Sequence, residues 1–370
     1  MKIIVSTALL APYRVDWLDE LGKHAEVSVF YLYDNDKDRT KEWLSKRPAN
    51  CTYHLMSGRY FPVLGKVSSD FRREIENCHY DCIILDGYGY FDQLLNIQYL
   101  YRKGIAFYLN IDGIVKKENE YKLVKGLKKR ILKKVPFFLC GSKLANDILA
   151  DYGVNKECIF NHPFTSLFER DIYTSVATSN EKVLLRKLLG IIEEKVIISV
   201  GRFTYKGGYG KGYDVLISAA KLLGEEYGWY IVGGLPTAEF IQMTGAAQLK
   251  NVHFIDHVTK EKLKEYYRAS DIFVLMSISD VWGLVVNEAM ACGLPIITSD
   301  KCMAGFDLIK SGENGFIVPV GSVVELVKSI KMIYDLNING QMGRQSINII
   351  KNYTIEKLAQ THLNIFNTCK

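Results

Sequence analysis

The 370-residue chain has no apolar run near the ~20 residues that a membrane-spanning helix needs, which excludes a span readable from hydropathy. Its eight cysteines, at 51, 78, 82, 140, 158, 292, 302 and 369, include no Cys-x-x-Cys. Cys78 and Cys82 flank His79, but no second ligand pair follows at useful spacing, so a zinc module is excluded and reduced, structural thiols are expected. Seven histidines form no metal-spaced cluster, and Asp-Asn-Asp at 34–36 stands alone, so no metal is expected. Low-complexity segments and short repeats are absent. The start, MKIIVSTALLAPYRVDW, lacks a small-x-small cleavage site and reads as a first buried strand, so a cytoplasmic location is expected.

What is present is alternation. Strand-type runs come at KIIVS (2–6), EVSVFYLY (26–33), CIILDG (82–87), GIAFYLN (104–110), PFFLCGS (136–142) and ECIFNHP (157–163), with helical patterns between several of them. The theme restarts after 180 with VIISVGR (196–202), WYIVGG (229–234), NVHFID (251–256), DIFVLMS (271–277), LPIITS (294–299) and GFIVP (315–319). Apolar runs separated by helices are the mark of parallel sheets covered on both faces. The chain is too long for one typical core, so two α/β domains are expected. The polar stretch 165–182 is the best linker, and the end, SINIIKNYTIEKLAQTHLNIF, is helical in period.

Loops after parallel strands carry the chemistry in such folds. GRFTYKGGYGKG (201–212) follows a strand and holds five glycines with Arg202, Lys206 and Lys211. It lacks the Ser or Thr of a P-loop and is no Gly-x-Gly-x-x-Gly fingerprint, yet flexible backbone with cations suits a phosphate; the bland alternative is a mobile surface loop. Downstream, ISDVWGLVVNEAMACG (278–293) sets Asp280 and Glu288 eight positions apart around Gly283. The reading is strand, loop, helix: Asp280 on the loop, Glu288 on the exposed edge of the helix, and the N–H groups of 281–284 as an anion site. An ordinary β-loop-α unit with two solvated acids is the competing reading.

Together, VGRFTYKGGYGKGYDVLISAAKLL and YYRASDIFVLMSISDVWGLVVNEAMACGLPIIT resemble the retaining, nucleotide-sugar-dependent glycosyltransferases of the two-Rossmann-domain type (GT-B fold). PYRVDWLDELGK (12–23) and YGVNKECIFNHPFTSL (152–167) resemble its capsular and exopolysaccharide branch. The resemblance implies an N-terminal acceptor domain over 1–165, joined by the C-terminal helix 351–370, and a C-terminal donor domain over 176–350, facing a central cleft. The family carries Glu, seven residues, Glu; here Asp280 replaces the first Glu and Glu288 is the second. Arg202 and Lys211, with Lys206 as the alternative lysine, then stabilise the diphosphate, aided by the N–H groups of Gly283 and Leu284. Glu288 takes the ribose and Asp280 the transferred sugar. Gly233, Gly234, Ile255, Asp256 and His257 are expected at the base, largely through backbone groups, with Tyr205 or Tyr209 as candidates to stack. Arg14 and Asp112 are expected at the acceptor or sugar. The donor is a nucleoside-diphosphate sugar, UDP-linked by expectation, and no cofactor is required. The acceptor is a saccharide or polyprenyl-pyrophosphate saccharide in cell-surface polysaccharide synthesis. A nucleotide-sugar epimerase of similar fold and a non-catalytic nucleotide-sugar-binding partner of an assembly complex are the alternatives.

Net charge is +6 and uneven: KKENEYKLVKGLKKRILKKV (116–135) carries nine Lys and Arg against two Glu, with apolar residues at helical spacing. A solvated helix face and attraction to an anionic membrane surface both fit, the latter placing the protein on the inner face of the cell membrane. Nucleic acid is not the expected partner, because no basic-aromatic platform accompanies the segment.

Overall fold

The computed structural model describes residues 1–35, 44–114, 120–203 and 205–368. The chain divides into two compact units: Met1–Ser166 with Thr354–Lys370, and Leu167–Tyr353. The first four residues of the basic segment 116–135 and Asp36 lie outside the described residues, as does the side chain of Tyr205. No described helix is long and apolar enough to cross a membrane.

The first unit contains β1 (Lys2–Leu9), β2 (Glu26–Tyr33), β3 (Thr52–Leu55), β4 (Arg59–Phe61), β5 (Gly65–Val67), β6 (Cys82–Asp86), β7 (Tyr108–Ile111), β8 (Phe137–Cys140) and β9 (Ile159–Asn161). Seven of these form one parallel sheet in the order β3-β2-β1-β6-β7-β8-β9. β1 and β2 pair from Lys2 with Glu26 to Leu9 with Tyr33, and the middle six residues of each are buried. Burial on both faces explains why these strands read as continuous apolar runs. The second unit contains β10 (Lys195–Val200), β11 (Tyr227–Val232), β12 (Val252–Ile255), β13 (Ile272–Leu275), β14 (Ile296–Ser299) and β15 (Gly315–Val318). They form a parallel sheet in the order β12-β11-β10-β13-β14-β15. Trp229, Phe273, Ile197 and Ile297 are fully buried within it.

Helix ends follow local chemistry. Thr259 Oγ1 accepts from the Lys262 N–H at 3.3 Å, and Ser142, Thr178 and Ser322 cap other helices in the same way. Gly104 and Gly190 end helices in the left-handed conformation. The last helix, Ile355–Thr368, belongs to the first unit, where it packs on the Pro12–Gly22 helix. Trp17 Nε1 donates to His362 Nδ1 at 3.0 Å, and the His362 ring lies 4.6 Å from that of His162. Burial pushes His162 down to about 4 and His362 well below its ordinary value, so both rings are neutral near pH 7.

Two features leave little trace in the sequence. The sheet edge β3 and the antiparallel hairpin β4–β5 had no apolar alternation to announce them, because all four residues of β3 and all three of β4 are exposed. The boundary between the units falls inside the expected linker 165–182, after Ser166, and the rest of that stretch is held within the second unit. Asp171 is gripped by Lys260 at 3.0 Å and Lys264 at 2.8 Å, and a helix begins at Ser179. That helix is tied to the second unit by Arg268–Glu181 (2.6 Å) and Arg186–Asp271 (2.8 Å). Its polarity reflects ion pairs, not freedom.

The docked last helix gives a direct test. Leu358 is 4% exposed, so Leu358→Ala should cost about 2–5 kcal/mol. Hydrogen exchange should then quicken in β1 and β7 and stay unchanged in β10 and β13. Equal acceleration in both sheets would contradict the assignment of this helix to the first unit.

Candidate active site

The strand order of the second unit reverses between β10 and β13, which are neighbours. Loops leaving the C-terminal ends of two such strands turn away from each other, and the crevice between them is where open α/β sheets bind ligands. The glycine-rich stretch leaves β10, and Ser277–Asp280 leaves β13. The two loops are pressed together. Gly212 has φ 72°, and a Cβ there would stand 2.1 Å from the Met276 carbonyl oxygen. The Ile278 N–H donates to Gly210 O at 3.2 Å. This contact delivers the chemistry: Lys211 Nζ meets Asp280 Oδ2 at 2.6 Å, with the lysine side chain 18% exposed. Ser277 Oγ lies 3.5 Å from the same oxygen, a contact the sequence reading missed. Asp280 is itself fixed, its N–H donating to Lys301 O at 2.9 Å and its carbonyl accepting from Met303 N–H at 3.1 Å.

Arg202 follows the strand end and is half-buried. Lys206 is exposed at φ 49°, while Lys211 is the lysine brought to Asp280. Within the stretch, Lys206, Gly207 and Gly208 turn through left-handed conformations, and Gly208 is wedged between the Phe203 and Phe240 rings. The Tyr209 ring packs 5.1 Å from Phe240 and its hydroxyl bonds Glu239.

Gly283 caps the helix Leu284–Ala291 at φ 102°, where a Cβ would meet Cys302 Sγ at 2.8 Å. The helix start thus lies just beyond Asp280, with the partial positive charge of its first turn. Glu288 is not on an exposed edge, as the sequence reading had it. The helix buries Val286, Asn287, Ala289 and Met290, and Glu288 is half-buried in a recess lined by Leu263, Ala291 and Cys292 together with Asp171, Lys260 and Lys264. Tyr267 Oη donates to Glu288 Oε2 at 3.2 Å. Burial pushes the Glu288 carboxyl up to about 6, with Tyr267 and Lys260 pulling the other way. Asp280 and Glu288 therefore have different partners: a lysine for one, a buried tyrosine for the other, in a recess also lined by Asp171, Lys260 and Lys264.

Gly233, Gly234, Ile255, Asp256 and His257 do gather at the ends of β11 and β12. A Cβ at Gly233 would stand 2.7 Å from Gly201 O, so this turn lies against the glycine-rich stretch. The N–H groups of this turn are partly used within it. The Gly233 and Gly234 N–H groups donate to Ile255 O at 3.0 and 3.4 Å, and the His257 N–H to Asp256 Oδ1 at 2.7 Å. Those donors are occupied within the turn.

The first unit repeats the geometry between β1 and β6. Arg14 Nη2 reaches Asp86 at 2.8 Å and Asp112 at 2.7 Å, with its side chain 8% exposed. Burial would lower the Arg14 pKa, but Asp112 and Asp86 hold it above the usual range. Thr7 and Asn110 complete Asp86 at 2.7 and 3.0 Å. Arg14 and Asp112 thus come together, and Asp86, which ends CIILD as Asp112 ends LNID, was legible by the same signal. The group lines a cavity shared with Tyr88, Tyr90 and Lys128. Among the described residues, no group of three His, Cys, Asp or Glu could hold a metal ion.

Comparison with known proteins places this geometry. Residues 184–351 match the family described as glycosyl transferases group 1. An uncharacterized glycosyltransferase of Haemophilus influenzae is 32% identical over 204 residues, covering 52% of this chain and 54% of that one. The N-acetyl-alpha-D-glucosaminyl L-malate synthase of Bacillus anthracis is 29% identical, over 49% of this chain and 48% of that protein. The chain spans about half the length of these curated relatives, or less. The structure of Anabaena Alr3699/HepE in complex with UDP-glucose superposes with a TM-score of 0.75 at 16% identity, covering 100% of both chains. The lipopolysaccharide outer core galactosyltransferase WaaB, apo form, gives 0.71 at 15%, again covering 100% of both chains. The fold is therefore GT-B, an α/β fold with two parallel sheets.

The loop contact can be tested without any ligand. Gly212→Ala combines a left-handed backbone with a carbonyl at 2.1 Å, and should destabilise the second unit by about 3 kcal/mol in denaturant titration. A neutral substitution would show that the two loops are not held together there.

Proposed function

We propose, starting from the match of residues 184–351 to glycosyl transferases group 1, that this chain is a retaining glycosyltransferase. It moves a sugar from a nucleoside-diphosphate sugar, UDP-linked, to a saccharide or lipid-linked saccharide acceptor. The observation that carries this reading is the Lys211–Asp280 pair at the strand reversal of the second unit, inside the matched block. A cation and a carboxylate in contact at a crevice suit a donor whose diphosphate bears charge and whose sugar bears hydroxyls.

The second unit holds the donor and the first the acceptor. Lys211 and Arg202 neutralise the charge that grows on the diphosphate as the glycosidic C–O bond breaks, and the helix start at Gly283 and Leu284 adds to it. The acceptor oxygen attacks the anomeric carbon from the face the nucleotide leaves. Its proton passes to the departing phosphate oxygen, so the charges balance without a protein base or a metal. Asp280 accepts from hydroxyls of the transferred sugar, and Glu288, steadied by Tyr267, accepts from the ribose. The base lies against the turn of Gly233, Gly234, Ile255, Asp256 and His257. Cell-surface polysaccharide synthesis is the setting in which a lipid-linked acceptor is met, and a peripheral position on the inner membrane face follows from it.

A panel of nucleoside-diphosphate sugars with matched acceptors tests the reading. Release of nucleoside diphosphate with an extended acceptor is the expected result; an epimerised donor, or binding without turnover, would overturn it. Lys211→Ala and Arg202→Ala should each lower kcat about 100-fold or more, the scale of one lost charge-stabilising contact, while Lys206→Ala should matter less.

The Glu288 assignment sets a pH dependence. A ribose hydroxyl donates best to the ionised carboxylate, which is present above about 6 and lost below it. Nucleoside diphosphate affinity should therefore fall as pH drops through that value. Calorimetry should find this fall in the wild type and not in Glu288→Gln; a fall common to both would remove Glu288 from the ribose.

A further inference from the structure

Two buried histidines take no part in the reaction drawn above. His162 follows β9 and His362 lies on the last helix. The segment 162–164 is pressed against the cavity of the first unit. A Cβ at Gly141 would stand 2.8 Å from Phe164 Cβ and 2.9 Å from Asp112 O, and the Phe164 ring meets that of Tyr13 edge-on at 5.6 Å. Within this packing, His162 Nε2 lies 3.3 Å from Asn110 Oδ1.

Asn110, like Arg14, touches both carboxylates of that cavity. Its Nδ2 donates to Asp86 Oδ1 at 3.0 Å and to Asp112 Oδ1 at 3.2 Å. A neutral imidazole carries its proton on one nitrogen, and an amide can turn over, so two arrangements are self-consistent. In one, His162 Nε2–H donates to Asn110 Oδ1, and the amide NH2 faces both carboxylates. In the other, the His162 proton sits on Nδ1, Nε2 accepts from the amide, and Asn110 Oδ1 is turned against two carboxylate oxygens. The second sets three acceptors together in a buried place and takes a donor from each carboxylate. The first therefore prevails, and the His162 proton and the Asn110 amide fix each other.

The last helix steadies the ring. Trp17 Nε1 is a donor only, so His362 accepts from it at Nδ1 and carries its own proton on Nε2. The His362 ring lies 4.6 Å from that of His162 and 5.8 Å from that of Phe366. Phe366 in turn packs 5.0 Å from Tyr108, two residues before Asn110 on β7. Burial, with Arg14, keeps His162 neutral against the pull of Asp112.

We propose that His162 is a positioning residue of this cavity: through Asn110 it fixes Asp86 and Asp112 in one arrangement about Arg14, and the last helix holds His162 in place. That the ordered carboxylates then receive hydroxyls of the acceptor saccharide rests on the transferase reading; the proton placement does not.

Nitrogen-15 spectra of the histidine-labelled full chain read the tautomers. His162 and His362, assigned from through-space contacts with the Asn110 amide and the Trp17 indole N–H, should each be neutral near pH 7 with the proton on Nε2. A proton on His162 Nδ1 would overturn the proposal, and the wild-type spectrum decides this whether or not a variant folds. His162→Gln keeps an N–H for Asn110 and His162→Leu does not. The carbon-13 titration of Asp86 should move to higher pH in His162→Leu, as the carboxylate loses a donor, and stay in place in His162→Gln. With a saccharide that accepts sugar in the donor panel, His162→Leu should raise acceptor KM about tenfold, the scale of one lost buried hydrogen bond. UDP affinity should be unchanged, and His162→Gln should behave as wild type. Equal effects of the two variants, or no effect of His162→Leu in a folded protein, would overturn the positioning role. Absent transfer, with the expected tautomers and Asp86 titration, would overturn the transferase reading alone.

Discussion

The contact of Gly212 with the Met276 carbonyl is the constraint on which the candidate site depends. Two loops leave adjacent parallel strands and would diverge; here they touch, because residue 212 has no side chain and tolerates φ 72°. Lys211 is the neighbour of that contact on one loop, and Asp280 lies four residues beyond Met276 on the other. Their 2.6 Å pairing is a consequence of backbone packing more than its cause. Gly208 between two phenylalanine rings, Gly233 against Gly201 O and Gly283 against Cys302 serve the same end. Each lets backbone approach where a side chain would hold it away, so that the loops after successive strands converge on one crevice.

The first unit reaches its crevice by other means. It has no glycine-rich stretch after β1, and its polar groups are organised by one buried cation. Arg14 joins Asp86 from β6 to Asp112 after β7, and Tyr13, Thr7 and Asn110 fill the remaining positions. A buried guanidinium removed from two carboxylates would leave both uncompensated. Arg14 therefore holds together two carboxylates that line that cavity with it.

Much of this was readable from residues alone, for physical reasons. Central parallel strands are buried on both faces, so runs such as KIIVS and DIFVLMS stand out from any background. Glycines and cations after a strand marked the crevice because close backbone approach and positive charge are needed together there. What escaped notice is equally explicable. β3 and the hairpin expose every residue of TYHL and RYF, so no burial pattern forms. Glu288 was read as solvated because a carboxylate on a short helix usually is; only the packing of the Lys260–Ala269 helix, bringing Tyr267, reveals the recess. The 165–182 stretch looked like a linker because ion pairs between distant segments have no local period.

The central claim is that the Lys211–Asp280 pair marks the proposed diphosphate site. Calorimetric titration of UDP into the wild type, Asp280→Asn, Lys211→Ala and the double variant measures this directly. With Asp280 neutralised, its carboxylate no longer competes with the phosphates for Lys211, so UDP affinity should hold or rise while turnover fails. Lys211→Ala should lose affinity whether or not Asp280 is changed. A fall in UDP affinity in Asp280→Asn as large as in Lys211→Ala, with both proteins folded, would contradict the account.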